Sequence, residues 1–290
     1  MNLGYACINT ALSANKITTN RTMRRKTFDV KGLDYVSDLA LANTKDLKTY
    51  IQWNNEMGIK LFRLSSQIFP WSDEYNVKDL KDYDEIASTM LEIGKIATDA
   101  GQRLTMHPGP YNCLASPTKK VVEKTIRELN FHSEQFNMMG FEPSPYNKIN
   151  IHVGGAYGDK KGTLEAFCHN FKLLNEDTKK RLVIENDDSP NEYSVKDLFD
   201  GIYQTIGIPI TFDYFHHKFN TGGLTEEEAL KMAAITWPEG IAQCCHYSES
   251  RRKEKLDESI RPQAHSDIIY EKIQTYGLEP DIVIEAKLKE

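Results

Sequence analysis

Short apolar runs recur along this chain, and stretches with apolar residues at helical spacing lie between most of them. The runs are LGYAC (3–7), KLFRLSS (60–66), RLTMH (103–107), KINIHVGG (148–155), RLVIEN (181–186), IPITFDYFHH (208–217), GIAQCCHYS (240–248) and DIVIEAKLK (281–289). Most have the length and apolar content of a strand buried on both faces, as strands are in a parallel sheet. Between them, Leu47, Ile51 and Met57 mark a helix that Gly58 stops, and Ile86, Met90, Ile93 and Ala97 mark another before Gly101. Val122, Ile126 and Leu129 follow SPTKK and lead to Gly140; Leu164, Phe167, Phe171 and Leu174 form a fourth pattern. TEEEALKMAAI places Thr225 three residues before Glu228, the spacing of a capping box. SDIIYEKIQTYG (266–277) is expected to be the last helix.

Eight strands alternating with helices over this length predict an α/β chain folded as a (β/α)8 barrel. With no Pro/Ser-rich linker and no low-complexity tract, residues 1–290 are expected to form one domain. The competing architecture is an open doubly wound sheet, which usually carries a Gly-rich phosphate loop after its first strand. LGYACINTALS contains neither GxGxxG nor GK[ST].

Composition narrows the chemistry. The 290 residues are 40% hydrophobic, enough for one substantial core. No run of 18 apolar residues appears, so no membrane helix is expected, and MNLGYACINT lacks a secretory pattern, so a cytoplasmic location is expected. The five cysteines form no CxxC pair, which points to reduced thiols rather than a disulfide framework. A net charge of -6 argues weakly against a nucleic-acid partner. The charge is uneven, however: NKITTNRTMRRKT (15–27) carries Lys16, Arg21, Arg24, Arg25 and Lys26 and no acid. That segment reads either as a solvated loop or as a loop that contacts phosphates, and divalent cations would offset a cluster of carboxylates elsewhere.

The ends of the runs hold the candidate chemistry. RLTMHPGPY ends a strand in His107, and the later runs end in or carry His152, Glu185, Asp213, His216, His246 and Glu285. His265 and Asp267 precede the last expected helix. A barrel gathers the C-terminal ends of its strands on one face, where active sites form. Each residue alone would be an ordinary polar group at a strand end. As core residues, the set would leave many polar groups unpaired, so a metal site is the better reading. Imidazoles and carboxylates without clustered thiolates suit zinc, manganese or iron. Eight or nine ligands exceed the needs of one ion and imply two or three, with a carboxylate such as Glu185 bridging two. Asp213 and His216 are three apart, so a turn after Asp213 is expected to carry His216 toward a different ion. His132 and His169 lie in helical patterns as surface or packing residues, and His217 should point away from His216. Cys244 and Cys245 alternate, one toward the barrel interior and one toward the helices.

In order and spacing, the motifs LGYACINT, TTNRTMR, LFRLSSQIFP, RLTMHPGPY, IHVGGAYGDK, LVIEND, FDYFHH, HYSES and IEAKLKE resemble the UV damage endonuclease family over nearly the whole chain. The resemblance implies a metal-dependent barrel nuclease, related to abasic-site endonucleases of the endonuclease IV type. Such an enzyme nicks double-stranded DNA immediately 5′ of UV photoproducts, both cyclobutane dimers and 6-4 products, with abasic sites as a further candidate substrate. It implies metal ligands at His107, His152, Glu185, Asp213, His216, His246, His265 and Glu285, the residues the strand ends also select. Two or three divalent ions are implied, Mn2+ first, with Zn2+, Co2+ or Mg2+ as alternatives.

Lesion contacts are implied at Tyr5 and Asn9, and a stacking wedge at Pro110–Tyr111, where relatives often carry Gln-Tyr. Some relatives place a lysine where Cys244 stands. Catalytic roles fall to Glu185 and to Lys287, which would share a strand face with Glu285 if the strand stays extended and would either contact phosphate or stay solvated; Arg21, Arg24 and Arg25 would grip the backbone. Neither a membrane nor an obligate protein partner is expected. The alternatives are an abasic-site endonuclease without photoproduct preference, a metal-dependent sugar isomerase of the xylose isomerase type on the same barrel, and a non-catalytic DNA-binding module.

Overall fold

The computed structural model describes all 290 residues. Each apolar run supplies one strand: β1 (Leu3–Ala6), β2 (Leu61–Leu64), β3 (Arg103–Met106), β4 (Ile149–Ile151), β5 (Leu182–Glu185), β6 (Ile210–Thr211), β7 (Cys244–Tyr247) and β8 (Asp281–Ile284). All pairings are parallel, in the order β6-β5-β4-β3-β2-β1-β8-β7. The ends of that series meet through a bridge between Asp213 and His246, where the His246 N–H donates to the Phe212 carbonyl at 3.0 Å. The sheet therefore closes into the expected single-domain (β/α)8 barrel and is not an open doubly wound sheet.

Side-chain alternation along the strands builds two apolar layers. Ala6, Leu61, Val183, Cys244 and Val283 cluster inside the barrel with Trp237, while Tyr5, Phe62, Leu64 and Cys245 join the larger core under the helices. The Cys244–Cys245 pair thus splits between the two layers as expected. Gly4 is required by close packing: a Cβ there would lie 2.0 Å from the Leu61 carbonyl oxygen.

The helical connections are α1 (Thr10–Ser13), α2 (Arg25–Glu56), α3 (Tyr83–Asp99), α4 (Lys119–Met138), α5 (Lys160–Phe171) and α6 (Glu176–Arg181). After β5, α7 (Val195–Leu198) runs through a π-turn at Phe199–Tyr203 into α8 (Gln204–Ile206). Then follow α9 (Tyr214–His217), α10 (Glu226–Ala234) and α11 (Arg251–Lys255). The Thr225–Glu228 capping box forms at the start of α10. No helix is long and apolar enough to cross a membrane.

Two expectations are corrected. The basic segment is not wholly a loop, because Arg25 and Lys26 open α2, which breaks at Gly32 (φ 63°, ψ -158°). The final helix over 266–277 does not form. Its backbone donors go to carboxylates instead: Glu249 accepts from the N–H of Tyr270 (2.7 Å) and Glu271 (2.9 Å), and Glu254 from that of Asp267 (2.8 Å). Ile269 and Ile273 still pack on the core from this irregular chain, which explains the helix-like spacing.

The end of the barrel opposite the site is plugged by Arg103. Its guanidinium donates to the carbonyls of Tyr146 (2.7 Å), Ala242 (2.7 Å) and Pro145 (3.1 Å) and pairs with Asp281 at 3.1 Å. A fully buried cation is tolerable only with such partners; removing one of a buried pair costs about 3–5 kcal/mol.

Candidate metal centre

Parallel strands in near-level register deliver their C-terminal ends to one plane. His107, His152 and Glu285 directly follow β3, β4 and β8; Glu185 ends β5, Asp213 follows β6, and His246 lies within β7. Glu185 is 1% exposed and sits at the centre. Its Oε2 lies 3.1 Å from His107 Nε2 and 3.7 Å from His152 Nε2, and its Oε1 lies 3.0 Å from His246 Nδ1 and 3.6 Å from His216 Nδ1. Each carboxylate oxygen thus faces two imidazoles. The rings crowd together, with centroids 5.4 Å apart for His107–His152, 5.6 Å for His107–His246 and 5.7 Å for His152–His216.

The expected turn after Asp213 forms. The Asp213 carboxylate accepts from the His216 N–H at 2.7 Å and caps α9, while His216 Nδ1 donates to the Asn186 carbonyl at 2.8 Å. His216 stays close to Asp213, with Nδ1 3.9 Å from Oδ1. Glu285 lies 3.4 Å from His246 Nδ1 and 3.6 Å from His265 Nδ1. All eight expected ligand residues are therefore linked into one cluster by short contacts.

Two triads could each hold an ion, His107–Glu185–His246 and His152–Glu185–His216, and Glu185 belongs to both. Nitrogen and carboxylate donors in this mixture suit a divalent ion. A second observation fits a cation: Asp213 Oδ2 is buried with no hydrogen-bond partner.

Charge is unevenly shared within the cluster. Burial alone would raise the Glu185 carboxyl, yet the imidazoles of His246 and His152 and the hydrogen bond from His107 hold it well below the usual range. Burial disfavours charge on His152, but Glu185 and Asp187 raise it to about 10; His216 is raised to about 9 against burial by Asp213 and Glu185. Burial pushes His246 down to about 3. Asp213 is pushed up to about 7 by burial and by Glu185 and Glu285, against the pull of His216. Cationic imidazoles thus occupy the role that bound cations would take over.

Four residues of the site were not singled out from sequence. Asp187 lies 2.7 Å from His152 Nδ1, Asn150 donates to Glu185, and Arg63 pairs with Glu285. Lys148, fully buried, places Nζ 3.2 Å from His246 Nε2 and 3.2 Å from the Cys244 carbonyl. An amine therefore stands beside Cys244 but comes from the start of β4. Alternation carried the missing signal: Lys148, Asn150 and His152 are spaced by two, as are Glu185 and Asp187. His132 is a buried packing residue bonded to the Glu128 carbonyl at 2.8 Å, and His169 is exposed. His217 points away from the cluster, packing on Phe212 with centroids 5.3 Å apart.

The expected lesion contacts separate into two kinds. Pro110 and Tyr111 stand exposed on the β3–α4 loop, Tyr111 at 89%. They border a cleft of about 880 Å3 lined also by Met23, Gln67, Trp71 and Tyr157. Tyr5 and Asn9 are buried under α2 instead: the Tyr5 hydroxyl donates to Asn54 (2.8 Å) and accepts from Asn9 (2.9 Å), and Asn9 caps α1. This corrects their expected role, because neither presents a free surface to a flipped base.

Arg21 is likewise committed, to Asp46 at 2.6 Å, and Arg25 pairs with Asp29 (2.8 Å) and Glu74 (2.6 Å). Arg24 and Lys26 are exposed without an acidic partner. Lys287 is exposed beyond the end of β8, in a turn where its N–H bonds the Ser266 carbonyl, so the premise of a shared strand face with Glu285 fails.

Comparison with known proteins agrees with this arrangement. The family described as UV-endonuclease UvdE matches residues 1–290. The chain is 37% identical over 299 residues to a UV-damage endonuclease of Schizosaccharomyces pombe, covering 99% of this chain and 49% of that protein. It is 33% identical over 302 residues to a UV DNA damage endonuclease of Clostridium perfringens, covering 100% of this chain and 68% of that one. It thus spans about half the length of its fungal relatives. The crystal structure of SacUVDE superposes with a TM-score of 0.86 at 30% identity, covering 100% of this chain and 94% of the other. Endonuclease IV from Thermus thermophilus shares the fold, with a TM-score of 0.58 at 11% identity over 99% of this chain and 92% of that one. With its motifs, its closed barrel and its histidine–carboxylate centre, the chain belongs to the UvdE family of UV-endonucleases.

Proposed function

We propose that this chain is a divalent-metal-dependent endonuclease domain that hydrolyses double-stranded DNA immediately 5′ of UV photoproducts. The observation that supports it most is a single buried carboxylate, Glu185, shared by two histidine triads at the open end of the barrel. When bound, two or three divalent ions, Mn2+ first among them, would supply Lewis acidity to an in-line displacement at phosphorus.

The chain's own residues set the geometry for that chemistry. His107 and His246 would hold one ion with Glu185, and His152 and His216 a second; Asp213, His265 and Glu285 extend the donor set. Asp187 orients the His152 ring, the Asn186 carbonyl orients His216, and Arg63 holds Glu285. Fixed rings lose little freedom on binding an ion, and such supporting contacts are worth about 10–100-fold in metal affinity or activity. Tyr111 would stack in the gap left when poorly paired photoproduct bases leave the helix, since unstacking damaged bases costs less than unstacking sound ones. Arg24, Lys26 and Lys287 would meet backbone phosphates. Tyr5 and Asn9 would act indirectly, by fixing the loop that follows β1.

The test uses end-labelled duplexes, each with one cyclobutane dimer, one 6-4 product, one abasic site or no lesion, incubated with Mn2+ or with a chelator. The expected result is metal-dependent nicking at the phosphodiester immediately 5′ of both photoproducts. Cleavage only at the abasic site, or cleavage indifferent to chelation, would overturn the reading.

A further inference from the structure

His246 is the one imidazole of the cluster that is wholly buried within a strand, and both of its nitrogens are engaged. Nδ1 faces Glu185 Oε1 at 3.0 Å; Nε2 faces the Lys148 amine at 3.2 Å. The same Nζ lies 2.8 Å from Thr211 Oγ1 on β6 and 3.2 Å from the Cys244 carbonyl on β7. Two of these partners, the Thr211 hydroxyl and the Cys244 carbonyl, accept N–H groups of the lysine, and His246 Nε2 is the third partner of the amine. The side chain starts beside β4 and crosses the barrel interior, so it ties three strands together directly beneath the site. An imidazole that binds a metal through one nitrogen is oriented by whatever holds the other. Among the contacts of His246, the amine alone holds Nε2.

We propose that Lys148 is the positioning residue for His246, pinning Nε2 so that Nδ1 is aimed at the oxygen of Glu185 it shares with the metal site. The role lies in where the ring points: with Nδ1 turned to the ion, Nε2 bears the ring hydrogen and donates it to the lone pair of the amine. Metal affinity at the His107–Glu185–His246 triad then depends on an amine that never touches the ion. The inference rests on the metal reading of the site, and its test separates the two.

The test is K148M, which keeps the length of the chain and removes the amine. Mn2+ binding is titrated by the electron paramagnetic resonance signal of the free ion, alongside thermal unfolding. Wild type should bind Mn2+ at two or more sites. K148M should weaken one of them by about 10–100-fold and leave another unchanged. The exchange variant K148C/C244K moves the lysine to β7, on the interior face two residues before His246, and should recover most of the loss. T211V removes only the hydroxyl that anchors the amine; it should weaken the same site by less and gives the same comparison if K148M does not fold. Wild-type occupancy in folded K148M or, failing that variant, in T211V would overturn the role of Lys148, as would an exchange variant that folds without recovering affinity. Absence of Mn2+ binding by wild type would instead overturn the metal reading itself.

Discussion

Glu185 shows what one residue contributes at this site. Its two oxygens face four imidazoles, and a charged carboxylate in that position would hold two cations close together. Glu185→Gln keeps the shape but replaces one oxygen with an amide that presents N–H to the rings. Turnover on a photoproduct duplex should fall by about 100–1,000-fold or more, the scale of losing one charge-stabilising group at a reacting centre. Undiminished nicking with full metal occupancy would show that the shared carboxylate is dispensable. Tyr111 lies at the other extreme, with a nearly bare ring on a loop that Asn112 anchors to Glu128 at 2.9 Å. Aromatic stacking is worth about 1–3 kcal/mol per base, so Tyr111→Ala should cost roughly one to two orders of magnitude on a paired thymine-dimer duplex. The same lesion in an unpaired bubble should suffer less, because no stack needs opening. Equal losses on both substrates would make Tyr111 a packing residue rather than a wedge.

The stretch from β1 into the start of α2 shows how an element sorts residues that look equivalent in sequence. Arg21, Arg24, Arg25 and Lys26 form one basic run, yet folding consumes two of these charges. Arg21 ties the loop to Asp46, and the Arg25 guanidinium lies over Phe28 and Trp71 while pairing with Glu74. Arg24 and Lys26 stay exposed without an acidic partner, in the stretch that follows β1 at the end of the barrel where the candidate metal centre lies. Each of Arg24→Gln and Lys26→Gln should flatten the log–log salt dependence of DNA binding by about 0.9, on damaged and undamaged duplex alike. Arg25→Gln should change that slope far less, because its charge is already met by acids. Equal slopes for all three variants and wild type would return the segment to a solvated face.

For the molecule as a whole, the cluster links stability to pH. In metal-stripped protein His152 is raised to about 10 and His216 to about 9, from about 6.5 in an unfolded chain. A raised folded value means that their stabilisation is complete below about pH 6.5 and is lost as pH climbs through 9 and 10. Asp213, raised to about 7, acts in the same direction over a lower range. On the acid side, His246 at about 3 and the depressed Glu185 withdraw stability as pH falls. The melting temperature in chelator should therefore peak near about pH 5–6.5 and decline toward pH 10. Divalent ions replace the protons on the imidazoles, so added Mn2+ should raise the melting temperature more at pH 9 than at pH 6. A flat profile from pH 6.5 to 10 in chelator would mean that these rings carry no charge in the folded protein.

The sequence by itself determined the eight strands, most of the helices and the level at which the chemistry gathers. Buried parallel strands leave continuous apolar runs, and polar residues at their ends stand out against them. The histidines and acids at those ends were legible for the same reason, and the helix stops at Gly58 and Gly140 carry the expected positive φ of 72° and 78°. Only the tertiary structure decided which polar groups remain free. Tyr5 and Asn9 look available beside β1 but satisfy one another beneath α2, and residues 266–277 have helical spacing but give their N–H groups to Glu249 and Glu254. Lys148 and Asp187 share the alternation of His152 and Glu185, but their partners, like the Glu285 that Arg63 meets, come from strands that only the closed barrel sets side by side. Hydrophobic periodicity is a local property that a chain displays residue by residue, whereas the partner of a buried charge is settled only when the barrel closes.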